Sequence, residues 1–373
     1  MPNPALDQRS EQLHALAQRI TGADPKSPFS VPGLAVVIRR ADGAQDRVFV
    51  GTDATGTPVR EDTLFPLASA SKLAAGIALL RLVDRGLLDL DAPLARYLPG
   101  AAAAQDGVTV RRLMAHTSGL PIDVGGRVVY DHTLDWPRIA AACLDTPLHA
   151  PPGTRVQYSN VAYGLLGVVA EQVSGTDYRT LVETTVFAPL GIEAYVARVP
   201  PRHQAVLAGV DSPHVGTDLE PFNSAFNRGL LMPWSQVTTT VDGLLALLHV
   251  YAGTRPDLVR PETAAEARTD QTGGLSGGFG TEDPFIGFNR SRSIAWAPCP
   301  WGLAVELRGG KRPHWTPPGA STGSFGQIGS SGCLAWCDMA RGASWALLAP
   351  RTTDSGWLLR HGAAIGNFAL EPA

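Results

Sequence analysis

A chain of 373 residues with 44% hydrophobic and 17% charged residues is too apolar for a disordered protein. It is also long enough to bury a sizeable core without disulfide or metal support. The formal net charge of -3, with no block of like charge, gives no electrostatic footprint for nucleic acid or an anionic membrane. The first twenty residues lack the basic start and apolar run of a signal peptide, and no run of about 18 apolar residues follows. The expected location is therefore the cytoplasm, with no membrane partner.

In chain order, apolar residues spaced through 5–20 predict a surface helix. Two strands follow, Gly33–Arg39 and Arg47–Gly51, joined by the turn-like Ala41-Asp42-Gly43. Leu73 to Val83 is apolar almost all round, the mark of a helix buried on every side, and Gly86 supplies its stop. Between about 100 and 290 the pattern predicts short helices at 109–115, 159–174, 177–187, 240–250 and 261–267, linked by Pro- and Gly-rich segments. The Gly-rich run from Gly273 to Gly280 reads as a mobile edge. Strands return at Trp301–Leu307, Phe325–Trp336 and Ala343–Leu348, before an amphipathic helix over Gly356–Phe368.

Strands at both ends with helices between indicate an α+β fold. Residues 1–68 and 291–373 are expected to form an antiparallel sheet flanked by helices. Residues 69–290 form an inserted, mainly helical domain, with the site at the junction. The four cysteines lack zinc spacing. Cys333 and Cys337 share a strand, where four residues span about 13 Å, too far for a disulfide. No metal and no organic cofactor is expected.

Lysine is scarce: Lys26, Lys72 and Lys311 are the only ones. A lysine kept inside an apolar segment thus calls for an explanation. Ser69-Ala70-Ser71-Lys72 is an S-x-x-K at the start of the buried helix, and positions i and i+3 share a helix face. Burial disfavours the charged amine, and a neutral amine beside a hydroxyl is a base beside a nucleophile. The same residues also fit an N-capping serine and a lysine reaching for solvent. Tyr158-Ser159-Asn160 opens another helix pattern. There a phenol shuttles protons if a neighbouring cation stabilises its anion, and an amide offers donor and acceptor. Taken alone, a helix-capping Ser or Asn next to a packed tyrosine explains it more readily. The third piece, Gly326-Gln327-Ile328-Gly329-Ser330-Ser331-Gly332, opens the strand Cys333–Cys337. Glycines there allow the close approach that a backbone donor to an oxyanion needs, or a hairpin of small residues.

An S-x-x-K on a buried helix, then Tyr-x-Asn, then a Gly-rich strand motif resembles the serine β-lactamase and penicillin-binding-protein superfamily. The resemblance is to its class C-like branch, above all to the family VIII carboxylesterases, and extends to LMAHTSGL (Leu113–Leu120), YSNVAYGLLG and WGLAVEL. It covers nearly the whole chain. It implies a β-lactamase-like fold and a serine hydrolase in which Ser69 is acylated and Lys72 and Tyr158 share the general-base and general-acid work. Asn160 positions the acyl group, and the backbone N–H groups of Ser69 and Ser330 form the oxyanion hole, with Gln327 and Gly329 beside them. His116 is a support, not a catalyst. Relatives carry Lys or often His where this chain has Gln327. Lacking that cation, the site leans away from carboxylate-bearing lactams and peptides toward uncharged esters.

Two G-x-S-x-G strings, Gly274–Gly278 and Gly319–Gly323, lack the apolar strand before and helix after that a nucleophile elbow requires. Trp136, Phe222, Phe226, Trp234, Trp296, Trp301 and Trp315 sit mainly in or near loops, where they line a pocket or pack beneath the loops. The partner implied is a small-molecule ester or amide. An amide-directed member (D-aminopeptidase, amidase or weak β-lactamase), an acyltransferase and a catalytically silent binding protein are the other readings. The sequence does not fix the oligomeric state.

Overall fold

The computed structural model of the chain describes residues 4–22, 27–124, 134–212, 222–279 and 294–371; Lys26 and Gly280 lie outside them. Helix α1 (Pro4–Thr21) precedes β1 (Gly33–Arg39) and β2 (Gln45–Gly51). Strand β3 (Phe65–Pro66) leads through one 3-10 turn, Ala68–Ser71, into α2 (Lys72–Asp84). The middle of the chain holds α3 (Val110–Met114), α4 (Trp136–Leu144), β4 (Val156–Gln157), α5 (Asn160–Ser174), α6 (Tyr178–Val182) and α7 (Ala188–Leu190). It continues through β5 (Ala194–Val196), α8 (Ala225–Gly229), β6 (Val237–Thr239), α9 (Val241–Tyr251) and α10 (Pro261–Ala267). After β7 (Gly277–Phe279), β8 (Ile294–Trp296) and β9 (Glu306–Leu307) come β10 (Phe325–Gly329), β11 (Cys333–Asp338), β12 (Ala343–Leu348) and α11 (Trp357–Leu370).

The main sheet runs β2-β1-β12-β11-β10-β9, every pair antiparallel. First and last strands in sequence thus meet inside the sheet, where β1 pairs with β12. Alternation along each strand sends side chains to two separate cores. Ala35, Val37, Ala335, Ala346 and Leu348 face α2 and α9, whereas Leu34, Val36, Ile38, Trp336, Trp345 and Leu347 face α1 and α11. Small alanines line the first face, where α9 packs on β11 and β12, and buried tryptophans the second, where α11 packs on β12. Two three-stranded sheets, β3-β6-β5 and β4-β7-β8, tie the helical region to the site. The result is a β-lactamase-like α+β fold of antiparallel sheet and packed helices.

Several elements differ from their sequence patterns. Phe325–Trp336 is a hairpin rather than one strand: Gly332 takes φ 108° and its N–H bonds back to Gly329, turning the chain between β10 and β11. Trp301–Leu307 is extended only at Glu306–Leu307, because Ala304 sits at φ 65° and Gly302 N–H bonds to the Val305 carbonyl. The 177–187 helix is α6 followed by a π turn over Glu183–Phe187. The Gly-rich run is paired rather than loose over Gly277–Phe279, where β7 bonds to both β4 and β8. A Cβ on Gly277 would collide with the Val156 carbonyl. Cys333 and Cys337 lie in β11 as free thiols. Among the described residues no helix is long and apolar enough to cross a membrane.

Candidate active site

Ser69 stands at the mouth of α2 in a turn laced to its surroundings. Leu67 N–H donates to the Val237 carbonyl at 2.8 Å, and Val237 N–H donates to Ser71 Oγ at 2.9 Å. The preceding Ala68 takes φ 45°, a left-handed conformation that costs a residue with a Cβ about 1–2 kcal/mol. Ala68, Ala70 and Ser71 are buried, and Ser69 alone in the turn is part-exposed.

Three residues on, Lys72 is fully buried. Its Nζ lies 3.5 Å from Ser69 Oγ, donates to Asn160 Oδ1 at 2.8 Å and reaches the Trp234 carbonyl at 3.3 Å. Burial holds its pKa well below the usual lysine value, with the Asp123 carboxylate pulling the other way. A depressed lysine pKa favours the neutral amine, and the nearest hydroxyl to accept its help is Ser69.

Tyr158 closes the group from the other side. Its ring centre lies 4.6 Å from Lys72 Nζ. Rings pack on it: His116 at 4.4 Å, Phe279 at 4.6 Å and Trp301 at 5.8 Å. Burial pushes the phenol well above its usual pKa, and the Ser69 side chain draws it part of the way back. Tyr158 Oη thus sits near Ser69, yet no described group bonds it in good geometry. His116 accepts the Ser159 N–H at 3.1 Å on Nδ1, while its carbonyl takes the Gln157 N–H. Burial above all, with the neighbouring lysine side chains adding to it, holds its imidazole well below the usual histidine pKa. It therefore pins the backbone on either side of Tyr158.

Asn160 spends its side-chain oxygen on Lys72 and its amide N–H on Asp123 Oδ1, at 2.7 Å. Asp123 had no motif to announce it; it enters through the loop after α3, where Ile122 accepts the Asn160 backbone N–H. On the sheet side, a Cβ on Gly329 would strike the Leu67 carbonyl, so only glycine lets β10 approach the serine turn this closely. Ser330 follows it into the hairpin turn. Among the described residues no backbone carbonyl accepts the N–H of Ser69 or of Ser330. Gln327 is fully buried, its Nε2 donating to the Ala304 carbonyl at 3.3 Å and its Oε1 accepting the Ile328 N–H at 3.2 Å. It presents no surface to solvent, and neither of these bonds reaches Ser69, Lys72, Tyr158 or Asn160, the four that the structure does bring together.

The other candidates sort clearly. Ser276 belongs to the segment paired with β4, its carbonyl accepting Val156 N–H, and Ser321 lies in turns beside Asp338. Neither follows a strand into a helix. Trp296, Trp301 and Trp315 are buried behind Tyr158, and Trp136 bonds Glu171. A small cleft beside β3 and β6 is lined by Pro66, Leu207, Phe222, Arg228, Gln236 and Thr238, and by none of the Ser69 group. Among the described residues no three His, Cys, Asp or Glu gather as a metal site.

Comparison with known proteins shows what the whole chain is similar to. The family model described as Beta-lactamase matches residues 26–361. Esterase EstB of Burkholderia gladioli is 37% identical over 186 residues, 45% of this chain and 46% of that protein. Penicillin-binding protein 4 of Amycolatopsis lactamdurans is 30% identical over 265 residues, 65% of each. The chain thus spans less than two thirds of the length of either relative. Among solved structures, a beta-lactamase (Mb2281c) from Mycobacterium bovis superposes with TM-score 0.63 at 25% identity, covering 95% of this chain and 100% of that one. EstCE1, described as a hydrolase with promiscuous acyltransferase activity, superposes with TM-score 0.74 at 19% identity over 99% of both chains, a likeness of fold.

Proposed function

The chain belongs to the beta-lactamase family, and from that premise we propose that it is a serine hydrolase cleaving carboxylic esters through an acyl-enzyme on Ser69. The observation that carries the reading is the fully buried Lys72 amine, 3.5 Å from Ser69 Oγ, with its pKa driven down by burial. A neutral amine there takes the serine proton as Oγ attacks the ester carbonyl. The tetrahedral oxyanion forms between the N–H groups of Ser69 and Ser330. Tyr158, whose raised pKa keeps it a phenol, gives its proton to the departing alkoxide, and the protonated Lys72 restores it. Water then attacks the acyl-enzyme with the same groups in reverse roles.

Esters rather than lactams are favoured by the neutral, enclosed Gln327, where no cation meets a substrate carboxylate. The name of EstB agrees with this, while that of penicillin-binding protein 4, the longer match, keeps amide substrates as the second reading. Short-chain p-nitrophenyl esters, D-amino-acid anilides and a chromogenic cephalosporin, assayed side by side with Ser69→Ala as control, separate the two. Fast ester cleavage lost in Ser69→Ala supports the esterase. Dominant anilide or lactam turnover moves the function to amides and refutes the weight placed on Gln327.

A further inference from the structure

A second buried lysine lies behind the site. Lys311 Nζ donates to Glu306 Oε1 at 2.7 Å, and both side chains are completely shielded from solvent. His314 Nδ1 accepts the Thr316 N–H at 3.2 Å, which leaves Nε2–H to donate to the same Glu306 oxygen at 3.3 Å. Burial favours a protonated Glu306, but the charge of Lys311 and the bonds from His314 and Lys311 outweigh it, so the carboxylate stays ionised. Glu306 Oε2 has no partner among the described residues. Desolvation offsets much of the attraction in such a pair, so fold stability alone is a poor reason for it.

Its placement gives a better one. The Lys311 ammonium lies 4.7 Å from the ring centre of Trp301 and 4.8 Å from that of Trp296. A cation held against both aromatic rings fixes them relative to each other. Trp301 touches His116 at 5.0 Å and Tyr158 at 5.8 Å, while Trp296 backs Phe279 at 6.0 Å, which in turn packs on Tyr158. The chain of contact therefore runs from the ion pair, through two tryptophans, to the ring that carries the proton-transfer hydroxyl.

We propose that Lys311, Glu306 and His314 form a positioning unit that holds Tyr158 in register with Ser69, acting through Trp301 and Trp296 without touching substrate. This rests on the hydrolase reading above. Its test uses the full chain carrying Lys311→Met and Glu306→Gln together, which removes both charges, nearly conserves volume and keeps an oxygen for His314. Hydrolysis of an ethyl ester, whose alkoxide needs the Tyr158 proton, and fluorophosphonate labelling of Ser69 are measured per folded molecule, with thermal melts alongside. A proton donor displaced by about an ångström costs about a hundredfold, so kcat should fall about 10- to 100-fold with KM within about twofold. A role confined to the fold lowers Tm and leaves kcat within about twofold of the parent; that result overturns the proposal.

If the double variant does not fold, Trp301→Phe carries the same comparison. It shortens the bridge while keeping a ring beside Tyr158. A fall of about fivefold or more in kcat at constant KM supports the proposal, since small misplacements of reacting groups are costly; parent-level kcat overturns it. A parent chain that takes no label at Ser69 overturns the hydrolase reading and this inference together. A labelled parent with an unimpaired variant overturns this inference alone.

Discussion

Tyr158→Phe separates chemistry from packing because, among the described residues, the hydroxyl makes no hydrogen bond of good geometry, its neighbour being the reacting Ser69 side chain. The ring and its contacts with His116, Phe279 and Trp301 remain. Only a buried oxygen without a partner among the described residues is removed. An unsatisfied buried polar group costs about 1–3 kcal/mol, so stability should hold level or rise by up to that amount. Activity should move the other way. A positioned proton donor contributes about 10²–10⁴-fold, or about 3–5 kcal/mol of barrier at about 1.4 kcal/mol per decade. The loss should also depend on the leaving group. Nitrophenolate departs at neutral pH without needing a proton, whereas an alkoxide must receive one. Hydrolysis of a p-nitrophenyl ester and of the matching ethyl ester, followed with thermal melts of both proteins, gives the answer. An equal loss on both substrates, or ethyl-ester activity within about threefold of the parent, refutes Tyr158 as the proton donor, since that role is worth at least about 10².

The remaining expectations follow from neighbouring groups. Because burial lowers the Lys72 pKa and the neutral amine is the base, kcat/KM should climb as pH rises through that depressed value and fall on the acid side. Lys72→Met should lose this limb along with most activity. The same depression means that, between the depressed folded value and the ordinary lysine pKa, the unfolded chain binds a proton the folded chain does not, so stability falls as pH drops through that window. Lys72→Met should therefore melt at or above the parent temperature at neutral pH. Gln327→Lys sets an ammonium where an enclosed amide bonds the Ala304 carbonyl. An unpaired buried charge costs about 3–5 kcal/mol, so melts should show a large loss of stability, with no gain in cephalosporin turnover. Ala68→Gly should stabilise the chain by about 1 kcal/mol by relaxing the left-handed φ before Ser69, as read by denaturant unfolding.

The parts of the fold legible in the sequence were those written in local spacing. The i, i+3 relation of Ser69 and Lys72 and the all-round apolarity of α2 are properties of one helix. The strands β1 and β12 announce themselves by composition, and Thr109 and Thr240 cap α3 and α9 as their sequences indicate. Helix α4 carried a readable signal that the pattern of apolar residues hid: Asp135 as N-cap followed by proline in the first turn. Asp123 had none, since its role arises from a contact between the loop after α3 and the start of α5. The pairing of Lys311 with Glu306 and His314 was equally invisible. It depends on the chain folding back after β9, and nothing in the run from Glu306 to His314 shows that its charges turn inward. Hairpin formation at Gly332 was lost for a different reason: small residues fit a strand opening and a turn equally well, and the backbone bond to Gly329 decides between them.

Whether one serine carries the chemistry is tested most directly by reaction with a fluorophosphonate followed by peptide mapping, in the parent and in Ser69→Ala, Ser276→Ala and Ser321→Ala. A single adduct on the peptide containing Ser69 is expected, and ester turnover should disappear with Ser69→Ala while most survives in the other two. An adduct on Ser276 or Ser321, or hydrolysis that persists in Ser69→Ala, would contradict it.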